Sequence, residues 1–521
     1  MKDDIKLLLS KGYLIEPSLA ISLSNEPFTN ICITDILLTL GPPKLITREY
    51  FEKKINSIVE KLAEKNIDKE LLDTIKLSFS TLLEVKKDEE KQEPESVAMI
   101  GDLFNEKRNV LVTGFYKYPI KKITVEDFVS YFTNRYNILK TVLQERELDG
   151  LCSIGKIPNQ KRPISIIGLV SDKRFTKNKN MILEIEDLTG RIAVILNHER
   201  SELFEKASQI VLDEVIAVKG FGSREIIFAN DVFFPDIFLK EKKRASSEQY
   251  VAFTSDLHVG SDQFLEENFI KFINWINGQT GSIKQKEIAK KVKYLFIVGD
   301  TVDGVGVYPR QERELRIKDI REQYKKLAEL LGMIRKDITI IMCPGGKHDA
   351  VSFIEPQPPI PKEFAPDLYE MENLILTTNP STIRIAQSKN NPGFNVLMYH
   401  GDSYDYYYTD IDYLRQNNAK LKPDLIIHFL LRKRHLAPSH TSTTYYPFEK
   451  DYLIIRDTPD IVVSGHIHKS AISHYNNILT VSCSCWQSTT AYQEKFGHEP
   501  DPCKVPILNL KTGKISMLDF S

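Results

Sequence analysis

The sequence lacks a charge excess of either sign. Lys and Arg number 70 and Asp and Glu 71 among 521 residues, a formal net charge of −1. Proteins that coat nucleic acid by electrostatics alone carry a basic excess, so that class is excluded for the chain as a whole, although a local basic face is not. Also missing are an opening signal peptide and any apolar run of membrane length, so an intracellular, soluble protein is expected. Cysteine is scarce. The six are Cys32, Cys152, Cys343, Cys483, Cys485 and Cys503, and none has zinc-finger spacing. Cys483 and Cys485, the one close pair, read as buried strand rather than as ligands. Reduced core thiols in a reducing compartment follow.

What is present is ordinary in bulk: 42% hydrophobic and 27% charged residues, as in globular proteins. The length exceeds one core and implies roughly two to four domains. Residues 1–84 read as a helical module. Ile5 to Leu9, Tyr50 to Leu62 and Leu71 to Leu83 have apolar residues at helical spacing, interrupted at Gly41-Pro42-Pro43. A small bundle and a docking module fit equally. Residues 85–98 are charged, contain Pro94 and have almost no large apolar side chains. Such a run cannot bury enough surface to order itself, and residues 85–105 are taken as a flexible linker.

Residues 106–240 begin with a strand at Asn109 to Thr113 and a helix from Thr124 to Leu143, opened by the capping pattern Thr124-x-x-Asp127. Three β-rich runs, a short helix (Ser201 to Ala207) and two further strands follow, the element order of an OB barrel. Lys173, Arg174 and Lys177 around Phe175 form one modest candidate patch for nucleic acid, against a packing role for the barrel.

Residues 248–521 carry the chemistry. Five apolar runs each stop at a Gly-flanked or Ser-flanked acid or histidine. Tyr250 to Thr254 ends in Asp256-Leu257-His258, and Tyr294 to Val298 in Gly299-Asp300. Ile338 to Met342 leads to Gly345-Gly346-Lys347-His348-Asp349, Asn395 to Tyr399 to His400-Gly401-Asp402, and Asp460 to Val463 to Gly465-His466-Ile467-His468. Ligand sites in α/β sheets gather at the carboxyl ends of strands. Phosphodiester hydrolysis needs a nucleophile, charge stabilisation and a leaving-group acid, and two cations supply the first two. Asp256, His258 and His468 would hold one cation, His400 and His466 the other, with Asp300 between them. His348 would protonate the leaving oxygen, with Asp349 beside it. Oxygen and imidazole donors suit Mn²⁺, Fe²⁺, Zn²⁺ or Ni²⁺ better than Mg²⁺. A helix is expected from Arg310 to Leu331. The tyrosines at 404 and 406–408 and the basic run Arg432-Lys433-Arg434-His435 each have a bland reading, packing and a solvated face, beside a nucleic-acid one.

The order D-x-H, G-D, G-x-H-D, H-G, G-H-x-H resembles the calcineurin-like metallophosphoesterases. With a barrel directly ahead, the chain is similar to the B-subunit family of replicative DNA polymerases, in particular the small subunits of archaeal family D polymerases. Ser255 to Ser261, Gly299 to Gly304, Arg434 to Pro438 and Asp501 to Pro506 carry that resemblance. It implies a multidomain α/β protein with a helical N-terminal module, an OB barrel and a four-layer αββα phosphoesterase domain. It implies a metal-dependent 3′→5′ exonuclease that proofreads single-stranded 3′ ends in DNA replication, in the archaeal cytoplasm. It also implies a scaffold for a large catalytic subunit, with a sliding clamp or primase reached through the complex. One position departs: the family's G-N-H-D reads Gly346-Lys347-His348-Asp349 here, after an additional glycine. The family's asparagine is a ligand of the second metal, whereas a lysine ammonium has no acceptor. Lys347 either weakens that site, turns away, or replaces the cation electrostatically. A scaffold with an impaired nuclease and a free-standing phosphoesterase are the rival readings.

Overall fold

The structure, a computed structural model, describes residues 103–105, 108–113, 122–388, 391–495 and 497–521, with scattered positions between 11 and 61. Residues 1–97 and 98–521 form two compact units. In the first, β1 (Leu14–Ile15) pairs in parallel with β2 (Leu45–Ile46), so a stretch read as wholly helical contains a strand pair. Tyr50, Lys54, Ser57, Ile58 and Lys61 are helical, inside the helix expected there. The expected helices at 5–9 and 71–83 and the charged stretch 85–98 lie outside the described residues.

The second unit opens with β3 (Leu103–Asn105) and β4 (Val110–Thr113). Two expectations are corrected here. Leu103–Asn105, assigned to the flexible linker, is a strand paired with β4. Residues 110–113, assigned to the barrel domain, pair instead with a strand at 381–385, because Val110 and Val112 are buried between the sheets further along the chain. Helix α1 (Val125–Leu143) follows. Its first turn is held by the Thr124 backbone N–H, which donates to Asp127 Oδ2 at 2.9 Å.

Strands β5 (Arg162–Phe175), β6 (Met181–Asp187) and β7 (Gly190–Leu196), helix α2 (Ser201–Ser208), and strands β8 (Val215–Gly222) and β9 (Ile226–Phe233) come next. The strands close into a barrel in the order β5-β6-β7-β9-β8. Alternating residues such as Met181, Leu183, Ile185, Val194 and Leu196 fill it.

From residue 250 two sheets stack face to face. One holds β10 (Tyr250–Thr254), β11 (Val292–Val298), β12 (Thr339–Cys343), β13 (Leu374–Leu376), β19 (Lys504–Asn509) and β20 (Ile515–Asp519). The other adds β14 (Ser381–Ile385), β15 (Phe394–Met398), β16 (Ile461–Ser464), β17 (Ala471–Tyr475) and β18 (Ile478–Ser482) to β3 and β4. Phe253, Phe296, Val298, Ile341, Met398 and Val463 fill the space between them. On the outer faces, α3 (Glu266–Ile276) and α5 (Ile320–Gly332) cover the first sheet, with α4 (Ile283–Lys290) beside α3. The second is covered by α1, α6 (Tyr404–Asp410) and α7 (Asp424–Lys433). Strands covered on both faces are apolar throughout, which is why β10, β11 and β12 read as continuous runs. Tyr404 and Tyr407 are core residues of α6, the packing reading. Helix α5 starts at Ile320 and not at Arg310, because the Asp319 carboxylate caps it by accepting from Arg321 N and Glu322 N.

The basic run at 432–435 is not a solvated face. The ammonium of Lys433 donates to Glu214 Oε1 at 2.9 Å and to Gln209 O at 2.7 Å, and both charged side chains are buried. His435 Nε2 lies 2.9 Å from Asp451 Oδ2, which also accepts from Arg135 Nε at 2.7 Å. These two buried clusters tie α1, the barrel and the sandwich together. In the patch around Phe175, Lys173 Nζ donates to Ser208 O and Ile210 O, while Arg174 pairs with Asp172 on the surface. The five described cysteines are free thiols, four of them buried.

Candidate metal centre

The parallel strands β10, β11 and β12 run side by side in register, Thr254 beside Ile297 and Val298 beside Cys343. In the facing sheet β15, β16 and β18 are also parallel. The loops that leave these strands therefore emerge on one edge of the sandwich. There the backbone turns sharply. Asp256, His258, Asp300, His466 and His468 all have positive φ, between 47° and 70°. Side-chain-bearing residues rarely adopt that region, and such strain concentrates at functional sites. Glycine supplies the clearance: a Cβ on Gly345 would sit 2.3 Å from Asp300 Oδ1, and one on Gly465 2.5 Å from Asp256 Oδ2.

All six residues expected to hold metal converge here. His258 Nε2 and His468 Nε2 are 3.1 Å apart. His468 Nε2 lies 3.3 Å from Asp256 Oδ1. Asp300 Oδ2 lies 3.8 Å from His258 Nε2 and 3.4 Å from His400 Nε2, so it stands between the two halves of the constellation. The ring of His466 is 5.3 Å from that of His400, at a steep angle. The ring nitrogens are held by the atoms behind them. His400 Nδ1 contacts Val298 O at 2.9 Å, and His258 Nδ1 contacts Asp303 Oδ1 at 3.1 Å. Such outer partners fix the tautomer and leave Nε2 to ligate. His400 Nε2 and Asp300 Oδ1 are buried with no hydrogen-bond partner, a cost that a bound cation removes. This donor set of carboxylates and neutral imidazoles fits a divalent transition metal. Among the described residues, four groups of three such side chains lie close enough to share one: Asp256, His258 and His468; Asp256, Asp300 and His400; His258, Asp303 and His348; His400, Asp402 and His466.

The electrostatics follow from burial and proximity. Burial pushes Asp256 and Asp300 up, but the facing imidazoles, His468 for the first and His400 for the second, outweigh it and hold both carboxyls below the usual range. Burial pushes His258 down. For His400, Asp300 overrides burial and the ring is pushed up.

His348 joins the centre from its rim. Its Nδ1 lies 2.6 Å from Asp303 O, and its ring is 4.8 Å from that of His258. Asp349 does not face the cavity. It is fully buried and accepts from Thr301 N at 3.0 Å and Gly345 N at 2.7 Å. Burial and the neighbouring Asp300 push it up to about 6. It thus ties the loop after β11 to the loop after β12 from behind the site. Lys347 is exposed, and its Nζ lies 5.3 Å from the centroid of the Phe353 ring. A cavity of about 390 Å³ joins His258, Asp300, His348, His466 and His468 to Lys347 and Phe353. Sequence reasoning missed Asp303, Asp402 and Asp405. Asp402 was visible two residues after His400 and Asp303 three after Asp300, but only the fold shows that they turn inward. Asp405 lies 3.2 Å from His466 Nε2, a contact made from the first turn of α6.

Fold and site together define an α/β sandwich with a barrel ahead of it and an edge where side chains able to hold a metal gather. Residues 251–473 match the family described as the B-subunits of DNA polymerases alpha and epsilon. The DNA polymerase II small subunit of Methanothermobacter thermautotrophicus is 41% identical over 400 residues, 76% of this chain and 80% of that protein. The protein of the same description from Pyrococcus furiosus is 38% identical over 408 residues, 77% of this chain and 64% of that protein. The one from Archaeoglobus fulgidus is 35% identical over 385 residues, 74% and 75%. The chain belongs to the family of archaeal DNA polymerase II small subunits, which places it in DNA replication. Among the described residues, no helix is long and apolar enough to cross a membrane.

Proposed function

We propose that this chain is the metal-dependent 3′→5′ exonuclease subunit of its polymerase and the scaffold on which a large catalytic subunit is held. The observation that carries the nuclease reading is the convergence of Asp256, His258, Asp300, His400, His466 and His468, with His400 Nε2 and Asp300 Oδ1 buried and unpartnered. Asp256, His258 and His468 would hold one cation and His400 and His466 a second, with Asp300 shared. Bound there, two cations would supply an activated water and stabilise charge on the phosphoryl oxygens. The chain's own residues do the rest. The Asp303 carbonyl accepts a hydrogen bond from the Nδ1–H of His348, and the imidazolium form of the ring would give its Nε2 proton to the departing 3′ oxygen and remain as the neutral Nδ1–H tautomer. Asp349 fixes the loops of Asp300 and Gly345 behind them. The exposed ammonium of Lys347, which lines the same cavity, would attract the substrate's phosphates.

The closed five-stranded barrel at residues 162–233 is assigned as an OB fold, residues 1–84 as a separate N-terminal module, and residues 248–521 as a calcineurin-like phosphoesterase domain. The buried ties at Arg135 and Lys433 make barrel and sandwich one rigid surface on which a large partner would rest. The test uses the chain co-purified with its large subunit, given single-stranded DNA labelled at the 5′ end. Shortening from the 3′ end that needs Mn²⁺ and stops with a chelator is expected, as is its loss in Asp300→Ala. A complex that forms but never shortens DNA removes the nuclease and leaves the scaffold.

A further inference from the structure

We infer that Asp402 is an oxygen ligand of the second cation, completing a site with His400, His466 and the shared Asp300. The inference rests on the two-cation reading above and adds a ligand to it. The ligating atoms of His400, Asp402 and His466 lie within 4.8 Å of one another. His400 is fully buried, its Nδ1 is occupied by Val298 O, and its Nε2 has no hydrogen-bond partner. Nε2 is therefore the ring nitrogen that would ligate a cation.

The Asp402 carboxylate is held from behind. Gln357 Nε2 donates to its Oδ2 at 2.9 Å and Asn379 Nδ2 at 3.5 Å. The same Asn379 takes the His400 backbone N–H at 2.9 Å, so one amide orients both Asp402 and His400. Oriented outer partners of this kind mark metal ligands. Its Oδ1 lies 3.5 Å from where a Cβ on Gly346 would stand. The carboxylate therefore borders the ground that a side chain at position 346 would enter, while Lys347, the next residue, is exposed and offers no lone pair. Two carboxylates and two imidazoles make an electrically balanced set for a divalent ion and suit Mn²⁺, Fe²⁺ or Zn²⁺.

Mn²⁺ binding to the full-length chain tests this, with free Mn²⁺ followed by its electron paramagnetic resonance signal. The unaltered chain should bind two ions. Asp402→Ala should bind one with unchanged affinity, and His468→Ala should damage the other site and spare this one. Asp402→Asn keeps the shape and a carbonyl oxygen, and should weaken only the second ion by about 10–100-fold, the scale seen when a ligand's surroundings are altered. It keeps the test decisive if the alanine variant fails to fold. Two ions bound at unaltered affinity in Asp402→Ala, or in Asp402→Asn where the alanine variant does not fold, overturn the role of Asp402 and leave the centre standing. An unaltered chain that binds no Mn²⁺ overturns the centre itself.

Discussion

Replacing Lys433 by methionine measures how the barrel is held to the sandwich. The Lys433 and Glu214 side chains are 0% and 1% exposed, with their charges 2.9 Å apart. The ammonium also stands 3.7 Å from the centroid of the Phe234 ring. At an effective dielectric of about 20, opposite charges 2.9 Å apart attract by roughly 6 kcal/mol. Burial opposes this. It pushes Lys433 down to about 8 and Glu214 up, in both cases against the attraction of the partner. The pair as a whole contributes little, whereas one half left alone is a stranded buried charge that costs about 3–5 kcal/mol. Lys433→Met should lower the unfolding free energy by that amount, read from denaturant midpoints of the full chain. Adding Glu214→Leu should restore it to within about 1 kcal/mol. The stranded Glu214 carboxyl has a folded pKa above its unfolded one, so the single variant is least impaired below about pH 4.5, the ordinary glutamate range, and loses stability as pH rises. A single variant that loses less than about 1 kcal/mol, or a double variant no better than the single, refutes the account.

Other perturbations give equally direct readouts. Burial pushes His435 down to about 4, so its contribution is complete above about pH 6.5 and is lost as pH falls through about 4; His435→Gln should flatten the acid limb of the stability curve, and an unchanged limb counts against it. His348→Ala should slow exonuclease turnover by about 10²–10⁴-fold with Mn²⁺ binding at Asp256 and His468 retained, whereas a rate within threefold removes it as the proton donor. Gly465→Ala puts a Cβ 2.5 Å from Asp256 Oδ2 and should abolish binding of the first Mn²⁺ while the circular dichroism spectrum stays native. Lys173→Gln breaks contacts to Ser208 O and Ile210 O and should cost about 1–2 kcal/mol with no change in single-stranded DNA affinity; a clear loss of affinity would restore the patch around Phe175.

Much of the centre was legible in the sequence because parallel strands buried on both faces leave an unmistakable trace. An apolar run that stops at an acid or histidine fixes both the strand and the place where its loop turns, and Asp256, Asp300, His400 and His466 are all marked that way. The barrel's alternation was equally plain, since Met181, Leu183 and Ile185 point inward while the residues between them do not. Charge carries no such signature. Arg432 to His435 looks solvated in one dimension, yet Lys433 and His435 are buried because their partners Glu214 and Asp451 arrive from 219 and 16 residues away. The strand at Val110–Thr113 likewise has a partner 269 residues on, which no local pattern reports. The sequence by itself determined which residues end the strands and what chemistry their side chains offer. The tertiary structure decided which of them face one another: Asp402 beside His400, Asp349 behind the site, Lys347 in the lining of its cavity. Those placements depend on loops from two separate sheets meeting at one edge, and only the stacked sandwich brings them there.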